Sequence, residues 1–105
     1  MAEQYKIFAT IFDRRGRIVA TAENNYNKSH PKMKMYSERV GEDYRIYLHA
    51  EILAIIRAKG KGHSIKIERY NKQGKPRLAA PCRACNMAIK EAGIKSVIYT
   101  KDAFF

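Results

Sequence analysis

Two cysteines whose spacing suits metal or redox chemistry lie in the stretch LAAPCRACNMAIKEAG, residues 78–93. Cys82 and Cys85 follow Pro81 and open a segment with helical apolar spacing. Residues three apart at the start of a helix face the same side, so the two sulfurs can share one partner. The exposed N–H groups and the dipole of a helix N-terminus favour thiolates at this position. The pattern is compatible with a disulfide, a redox pair or half of a metal site.

The sequence HAE at positions 49–51 supplies residues that can complete a metal site. His49 opens the strongest helical pattern of the chain, and Glu51 follows two residues later. Positions i and i+2 point nearly opposite ways within a helix, so they can serve one site only at its N-terminal end. A structural zinc site usually needs four ligands, several of them cysteines, and this chain has only two cysteines. We therefore expect zinc to be bound by His49, Cys82 and Cys85, with the fourth position left for water, as in catalytic sites.

The elements that must position these residues alternate between strands and helices. Apolar alternation and β-branched residues predict strands at 5–13, 18–24, 64–70 and 96–100. Helical spacing predicts helices over 47–60 and 83–93, ending at Gly60 and Gly93. The segment NKQGKPR, residues 71–77, is expected to be a turn. The order β-β-α-β-α-β predicts an α/β fold in which helices pack against one sheet.

A long connection, residues 25–46, separates the second strand from the first main helix. A short helix after Pro31 is possible, because proline suits the first helical turn. The connection carries three tyrosines, Tyr26, Tyr36 and Tyr44. They can stack on a base or cover the core, and we favour the core. His30 is interpreted as a loop residue, with a phosphate contact or a further zinc ligand as alternatives.

Charge and composition limit the class of protein. The 105 residues predict one domain, 1–105, and include 21 Lys and Arg against 10 Asp and Glu, a net charge of +11. Such an excess favours an anionic partner, and nucleic acid is possible. The start, MAEQYKIFATIFD, lacks the features of a signal peptide, and no apolar run reaches the roughly 18 residues of a membrane span. We expect a cytoplasmic protein with no membrane partner, where reduced thiols favour a metal site over a disulfide.

HAE together with PCRAC resembles the H-x-E…P-C-x-x-C signature of the zinc-dependent cytidine and deoxycytidylate deaminase superfamily. The hairpin ending at Asn24, the LHAE helix and AGIKSVIYT follow in the order of that family, so the resemblance covers nearly the whole chain. It looks most like small single-domain deaminases of the kind found in phage genomes. The resemblance implies a three-layer α/β fold, a mixed sheet with helices packed against it, in a short form that ends after the fourth strand.

The resemblance also implies roles for single residues. Zinc would lower the pKa of a bound water, and Glu51 would carry protons from that water to the ring and to the departing ammonia. Asn24 would hold the sugar or the base, with the neighbouring Asn25 and Asn27 as alternatives. The backbone N–H of Ala50 and the carbonyl near Ala80 would fix the amino group and the ring. The structural alternatives are a core histidine at His49, a helix-dipole partner at Glu51 and a turn cap at Asn24.

From the resemblance we expect the last strand and helix of larger deaminases, and the helix that often precedes their first strand, to be missing. Because sheet edges and apolar faces are normally covered, we expect a homo-oligomer. Phe104 and Phe105 are expected to dock on a neighbouring subunit. The far wall of the substrate pocket would then come from that subunit or from residues 25–46.

Three functions are compatible with these residues. The preferred one is deamination of cytosine in a free nucleoside or nucleotide: cytidine, deoxycytidine or their monophosphates. The alternative is a cytosine or adenine deaminase acting on single-stranded DNA or RNA, which the positive charge supports. The third function belongs to a different class, without deamination: a zinc-stabilised binding module or a thioredoxin-like redox module. The redox module would need neither His49 nor Glu51 and would hold no zinc, and the binding module would not need Glu51.

Overall fold

The computed structural model describes residues 6–24, 30–41 and 49–101. The helices and strands of this part are β1 (Lys6–Phe12), β2 (Ile18–Glu23), α1 (Pro31–Arg39), α2 (Ala50–Ala58), β3 (Ser64–Tyr70), β4 (Pro76–Arg77), α3 (Arg83–Glu91) and β5 (Ser96–Tyr99). Every strand and helix expected from the sequence is therefore present, including the helix after Pro31. Among the described residues, no helix is long and apolar enough to cross a membrane. The expectations for Asn25, Tyr26, Asn27, Tyr44, Phe104 and Phe105 lie outside the described residues.

A mixed sheet forms the frame of the fold. Its strand order is β2-β1-β3-β4, and β5 also pairs with β3. Strand β3 runs antiparallel to β1 and β4 and parallel to β5. The β1–β2 hairpin closes where the Asp13 carboxylate accepts hydrogen bonds from the backbone N–H groups of Arg15 and Arg17, both at 2.9 Å. The expected α/β class, with helices packed against a mixed sheet, is confirmed.

Strand β4 corrects the expectation that all of residues 71–77 form a turn. Only the first part is a turn, in which the Asn71 side chain accepts hydrogen bonds from the N–H groups of Gln73 and Lys75. Pro76 and Arg77 then pair with the end of β3. A strand of two residues is too short to leave an alternating pattern in the sequence. The strand predicted at 96–100, expected to be the fourth, is therefore β5, the fifth strand of the described residues.

The core lies between the sheet and helix α2. The buried side chains that meet there are Ala9, Ile11, Ala20, Ala22, Ala50, Ala54, Ala58, Ile65, Ile67, Ala79 and Ile89. Alanines at every fourth position of α2 allow the helix to approach the strands closely, because residues four apart share one helix face. All these strand residues belong to one face of the sheet, since side chains alternate between faces.

A second buried cluster joins the three helices. It contains Met33 and Tyr36 of α1, Ile52 of α2, and Ala84, Cys85 and Ala88 of α3. Tyr36 is buried, which confirms the core interpretation for this tyrosine. One cysteine of the motif is therefore part of the helix packing, so the position of its sulfur is fixed by the fold.

Helices α2 and α3 begin at the same end of the sheet. Their other ends meet in a small cavity beside Ile11, near the end of β1, which is lined by Ala58, Gly60, Ala92 and Ile94 among others. Beyond α2, the N–H of His63 donates a hydrogen bond of 2.8 Å to the carbonyl of Phe12. The starts of both helices consequently lie where β1 begins and β3 ends. We call this the site end of the sheet.

Candidate active site

The starts of α2 and α3 bring three metal-binding side chains together. His49 is the N-cap residue of α2, Cys82 is the N-cap residue of α3, and Cys85 lies in the first turn of α3. Both N-cap residues have extended backbones, and neither side chain caps its own helix. One ligand atom from each of the three residues lies within 4.8 Å of the other two. The structure thus assembles the group that the sequence predicted.

The distances within this group suit zinc. The Nδ1 atom of His49 lies 3.3 Å from Sγ of Cys85 and 3.6 Å from Sγ of Cys82. Ligand atoms about 2.0–2.3 Å from a tetrahedral ion lie roughly 3.4–3.8 Å from one another. One imidazole nitrogen and two sulfurs are also the donor set that zinc accepts. The side chains therefore fit Zn²⁺ and leave one tetrahedral position for another ligand.

The two thiols differ in their environment. A hydrogen bond from the Cys85 thiol lowers the pKa of Cys82, and contact with His49 lowers it further. The same contact with Cys82, together with burial, raises the pKa of Cys85. The half-buried Cys82 is therefore the first of the two to become a thiolate. A thiolate is the form of cysteine that binds metal ions.

Glu51 lies in the first turn of α2 and is almost completely buried, with 5 % of its surface exposed. Burial raises the pKa of its carboxyl group, while its own backbone N–H and the nearby His49 act in the opposite direction. Buried carboxyl groups are rare and unfavourable unless they are paired or protonated. A raised pKa allows a carboxyl group to exist in both protonation states during a reaction.

The residues expected to contact substrate also lie at the site end. The Asn24 side-chain oxygen accepts a hydrogen bond of 3.1 Å from the N–H of Ile7, and the N–H of Asn24 donates to the carbonyl of Ile7. Asn24 thus continues the pairing of β2 with β1. Ala50 is the buried first residue of α2, and Ala80 is exposed in the loop before Pro81. Their positions agree with the expected roles, which stay predictions.

His30 caps helix α1. Its Nδ1 atom accepts a hydrogen bond of 3.1 Å from the N–H of Lys32. In the described part of the chain, the metal group contains His49, Cys82 and Cys85 and does not include His30. The structural interpretation of His30 is therefore supported over the alternative of a further zinc ligand.

Two structural features were missed from the sequence. Glu91 of α3 accepts a hydrogen bond of 2.7 Å from the Tyr36 hydroxyl and contacts the Arg39 guanidinium, which fastens α1 to α3. These residues are far apart in the chain, and no pattern connects them. In addition, Arg69 Nη1 donates a hydrogen bond of 3.3 Å to the carbonyl of Leu78, in the loop that leads to Cys82. The sequence does show that no acidic residue occurs between Glu68 and Glu91, which was the available signal of a basic region around Arg69.

Comparison with known proteins agrees with this geometry. A family model of the cytidine and deoxycytidylate deaminase zinc-binding region matches residues 2–101. A comparison with curated proteins finds no significant match. The matched range contains the His49, Cys82 and Cys85 group and spans nearly the whole chain. The resemblance noted from HAE and PCRAC is confirmed, and the chain belongs to the cytidine and deoxycytidylate deaminase zinc-binding family.

Proposed function

We propose that the protein is a hydrolase that deaminates cytosine in a nucleoside or nucleotide, giving uracil and ammonia. The family supports zinc-dependent deamination in general. One observation carries the more specific proposal: the buried carboxyl group of Glu51 interacts with Cys85, a member of a ligand set that fits zinc. A site for hydrolysis needs a group that moves protons next to the activated water, and Glu51 has the chemistry for that role.

The metal group has the composition of a catalytic site. His49, Cys82 and Cys85 would hold Zn²⁺, and three protein ligands are typical of catalytic rather than structural zinc. When bound, zinc supplies Lewis-acid activation of water. The proteins that use this set in the family act on nucleosides or nucleotides.

Glu51 would move the protons of the reaction. Its carboxylate accepts a proton from the attacking water and delivers it to the ring nitrogen beside the reacting carbon. The second proton of the water then goes by the same route to the departing amino group, which leaves as ammonia. Cytosine and water thus become uracil and ammonia, and Glu51 returns to its starting state. A carboxyl group suits this role because it can act first as a base and then as an acid.

Three further residues would hold the substrate. Asn24 would bind the sugar or the base, the N–H of Ala50 would bind the ring, and the carbonyl of Ala80 would accept a hydrogen bond from the amino group. All three belong to segments that meet at the site end of the sheet. These assignments rest on the resemblance to the family and on that placement.

Alternatives without catalysis fit the site less well. A redox module would use Cys82 and Cys85 alone, so the contact of His49 with both sulfurs would have no purpose. A zinc-stabilised binding module would need the three ligands but gains nothing from a buried carboxyl group beside them. The unfavourable burial of Glu51 is explained by proton transfer and by neither alternative.

The experiment that tests this function uses zinc-loaded protein with cytidine, deoxycytidine, their monophosphates and a cytosine-containing oligonucleotide. Release of ammonia and formation of uracil are followed for each compound. We expect turnover of at least one cytosine compound, and its loss in the Glu51→Gln variant. Zinc-loaded, folded protein that releases no ammonia from any of these compounds would contradict the proposal.

A further inference from the structure

One face of the sheet is covered by none of the helices in the part of the chain that the structure describes. Helix α2 packs against the face that contains Ile11, Ile65 and Ile67. Because side chains alternate along a strand, the residues between these point to the other side, and none of them is buried. We call this side the open face; it includes Phe8, Thr10, Phe12, Lys66, Glu68 and Ile98.

Large apolar side chains lie on the open face and at its border. The Phe8 ring contacts the Tyr70 ring, with 6.3 Å between their centroids. Phe12 lies opposite Ile18, which is 65 % exposed, and Ile98 of β5 is 59 % exposed. Among the described residues, these two isoleucines are the most exposed of the large apolar side chains. Exposed apolar patches of this kind mark surfaces that bind another macromolecule.

The open face carries balanced charges, in contrast to the helices on the other side of the sheet. Its charged strand residues are Lys6, Glu23, Lys66 and Glu68, and the last two form an ion pair of 3.2 Å. The three helices instead expose six Lys and Arg side chains against two Glu side chains. In a chain with a net charge of +11, two copies repel each other where their basic surfaces meet. The open face is a surface on which a second copy can be seated without that repulsion.

We propose that the open face binds the open face of a second copy of this chain, so that two sheets pack face to face in a two-fold symmetric dimer. A two-fold interface needs a self-complementary surface. Equal numbers of Lys and Glu side chains around exposed apolar ones meet that requirement. Two sheets packed in this way lie about 10 Å apart, with their side chains interdigitated.

The size of the open face indicates a dimer of moderate stability. Strand geometry gives four strands of this length a face of roughly 23 Å by 19 Å. Such an area lies near the lower end of the range of specific interfaces, so we expect a dimer that forms at micromolar concentration and dissociates on dilution.

The metal group lies outside this interface. His49, Cys82 and Cys85 belong to the starts of α2 and α3, on the other side of the sheet. Each copy in the dimer therefore keeps its own site accessible. The inference does not depend on the proposed function.

Lysine labelling locates the second copy without any substitution. Zinc-loaded protein is acetylated briefly, well below and well above the concentration at which sedimentation shows association, and each lysine is followed by mass spectrometry. We expect Lys66 to react more slowly in the dimer, because the second sheet covers its ammonium group. Lys34, which is exposed on α1, is the internal control and should react at the same rate in both samples.

The Ile98→Glu variant tests the interface by substitution. A carboxylate at this position would lose its hydration on association, so we expect the dissociation constant of the dimer to rise at least about 10-fold. The substitution also makes the chain less positive, so general charge repulsion cannot explain the loss. Met35→Glu is the matched control, because Met35 is an exposed apolar residue of α1 and the charge change is the same. Unchanged circular dichroism and zinc content of both variants show that the fold is retained.

Several outcomes would overturn the proposal. A protein that stays monomeric at every concentration has no such interface, and equal weakening by Ile98→Glu and Met35→Glu would mean that the open face has no special part in association. Protection of Lys34 in place of Lys66 would place the second copy on the helices. A monomer in which Lys66 reacts slowly at every concentration would mean that the same chain covers the open face. A dimer with protected Lys66 that releases no ammonia from any cytosine compound would support the interface and refute the deaminase proposal.

Discussion

Glu51 shows how burial and chemistry are connected at the scale of a single residue. Its carboxyl group is buried in the first turn of α2, beside His49, Cys82 and Cys85. An apolar residue of similar size would stabilise the helix start more, since a buried carboxyl group loses its hydration. A residue kept in such an unfavourable place is a candidate for a functional role.

The role of Glu51 can be tested with the Glu51→Gln variant. Glutamine has nearly the same volume, so we expect unchanged zinc content and an unchanged circular dichroism spectrum. Turnover of the best cytosine substrate should fall by at least the ~10²-fold that general acid–base catalysis supplies, because an amide cannot exchange the proton. A variant that deaminates at the rate of the unmodified protein would show that Glu51 is not the proton carrier.

The two cysteines can be tested through metal content. Cys82→Ala and Cys85→Ala each remove one of the three ligands, so we expect zinc to fall from about one ion per chain to a small fraction of that value. Met87→Ala is the control, since Met87 is a half-buried residue of the same helix that is outside the metal group. Elemental analysis of the purified proteins measures the outcome. Full zinc occupancy in both cysteine variants would contradict the assigned site.

At the scale of elements, the sequence predicted most of what positions these residues. The alternation in β1, β2 and β3 was clear because one face of each strand is buried by α2. Helices α2 and α3 could be predicted because apolar spacing and a glycine after the last turn are local signals, although the helix predicted from 47 begins at Ala50 in the structure. Strand β4 could not be predicted because it is defined by its pairing with β3. The attachment of α1 to α3 could not be predicted because it consists of contacts between residues that are distant in the sequence.

The attachment of α1 to α3 can be tested through Glu91. Hydrogen bonds from Tyr36 and Arg39 lower the pKa of the Glu91 carboxyl group below its ordinary value of 4.5. A lowered pKa means that the stabilisation is present above the ordinary value and is lost as the pH falls through the lowered value. We therefore expect Glu91→Gln to reduce the midpoint of urea unfolding slightly at pH 7, and the difference from the unmodified protein to disappear in strong acid.

The control for Glu91 is Glu38→Gln, which removes an exposed carboxyl group from α1. Because the carboxyl of Glu38 is not part of the α1–α3 contact, this variant should unfold like the unmodified protein at both pH values. A Glu91→Gln variant with an equal deficit at both pH values would show that the contact does not act through the ionised carboxyl group.

At the scale of the whole molecule, the expected homo-oligomer stays a prediction. The described surface includes exposed apolar side chains at Leu78 and Ile98, near the edge formed by β5. The net charge of +11 opposes association, and salt screens that repulsion. We expect light scattering to show an oligomer at micromolar concentration that does not dissociate in higher salt. A monomer with full activity under these conditions would contradict the expectation.

Zinc removal tests how far the whole fold depends on the site. The metal group joins the starts of two helices, and α3 carries much of the second buried cluster, so bound zinc would stabilise the folded state as a cross-link. At a free zinc concentration 100-fold above its Kd, this linkage contributes about 2.7 kcal/mol, which corresponds to a fall in Tm of roughly 10–20 °C when a chelator removes the ion. Thermal unfolding followed by circular dichroism measures the shift, and added zinc should reverse it. The Cys82→Ala variant should show no response to the chelator, while Glu51→Gln should respond like the unmodified protein, since it keeps all three ligands. An equal Tm with and without chelator, in protein shown to release its zinc, would mean that the sheet and helices hold the site in place without the metal.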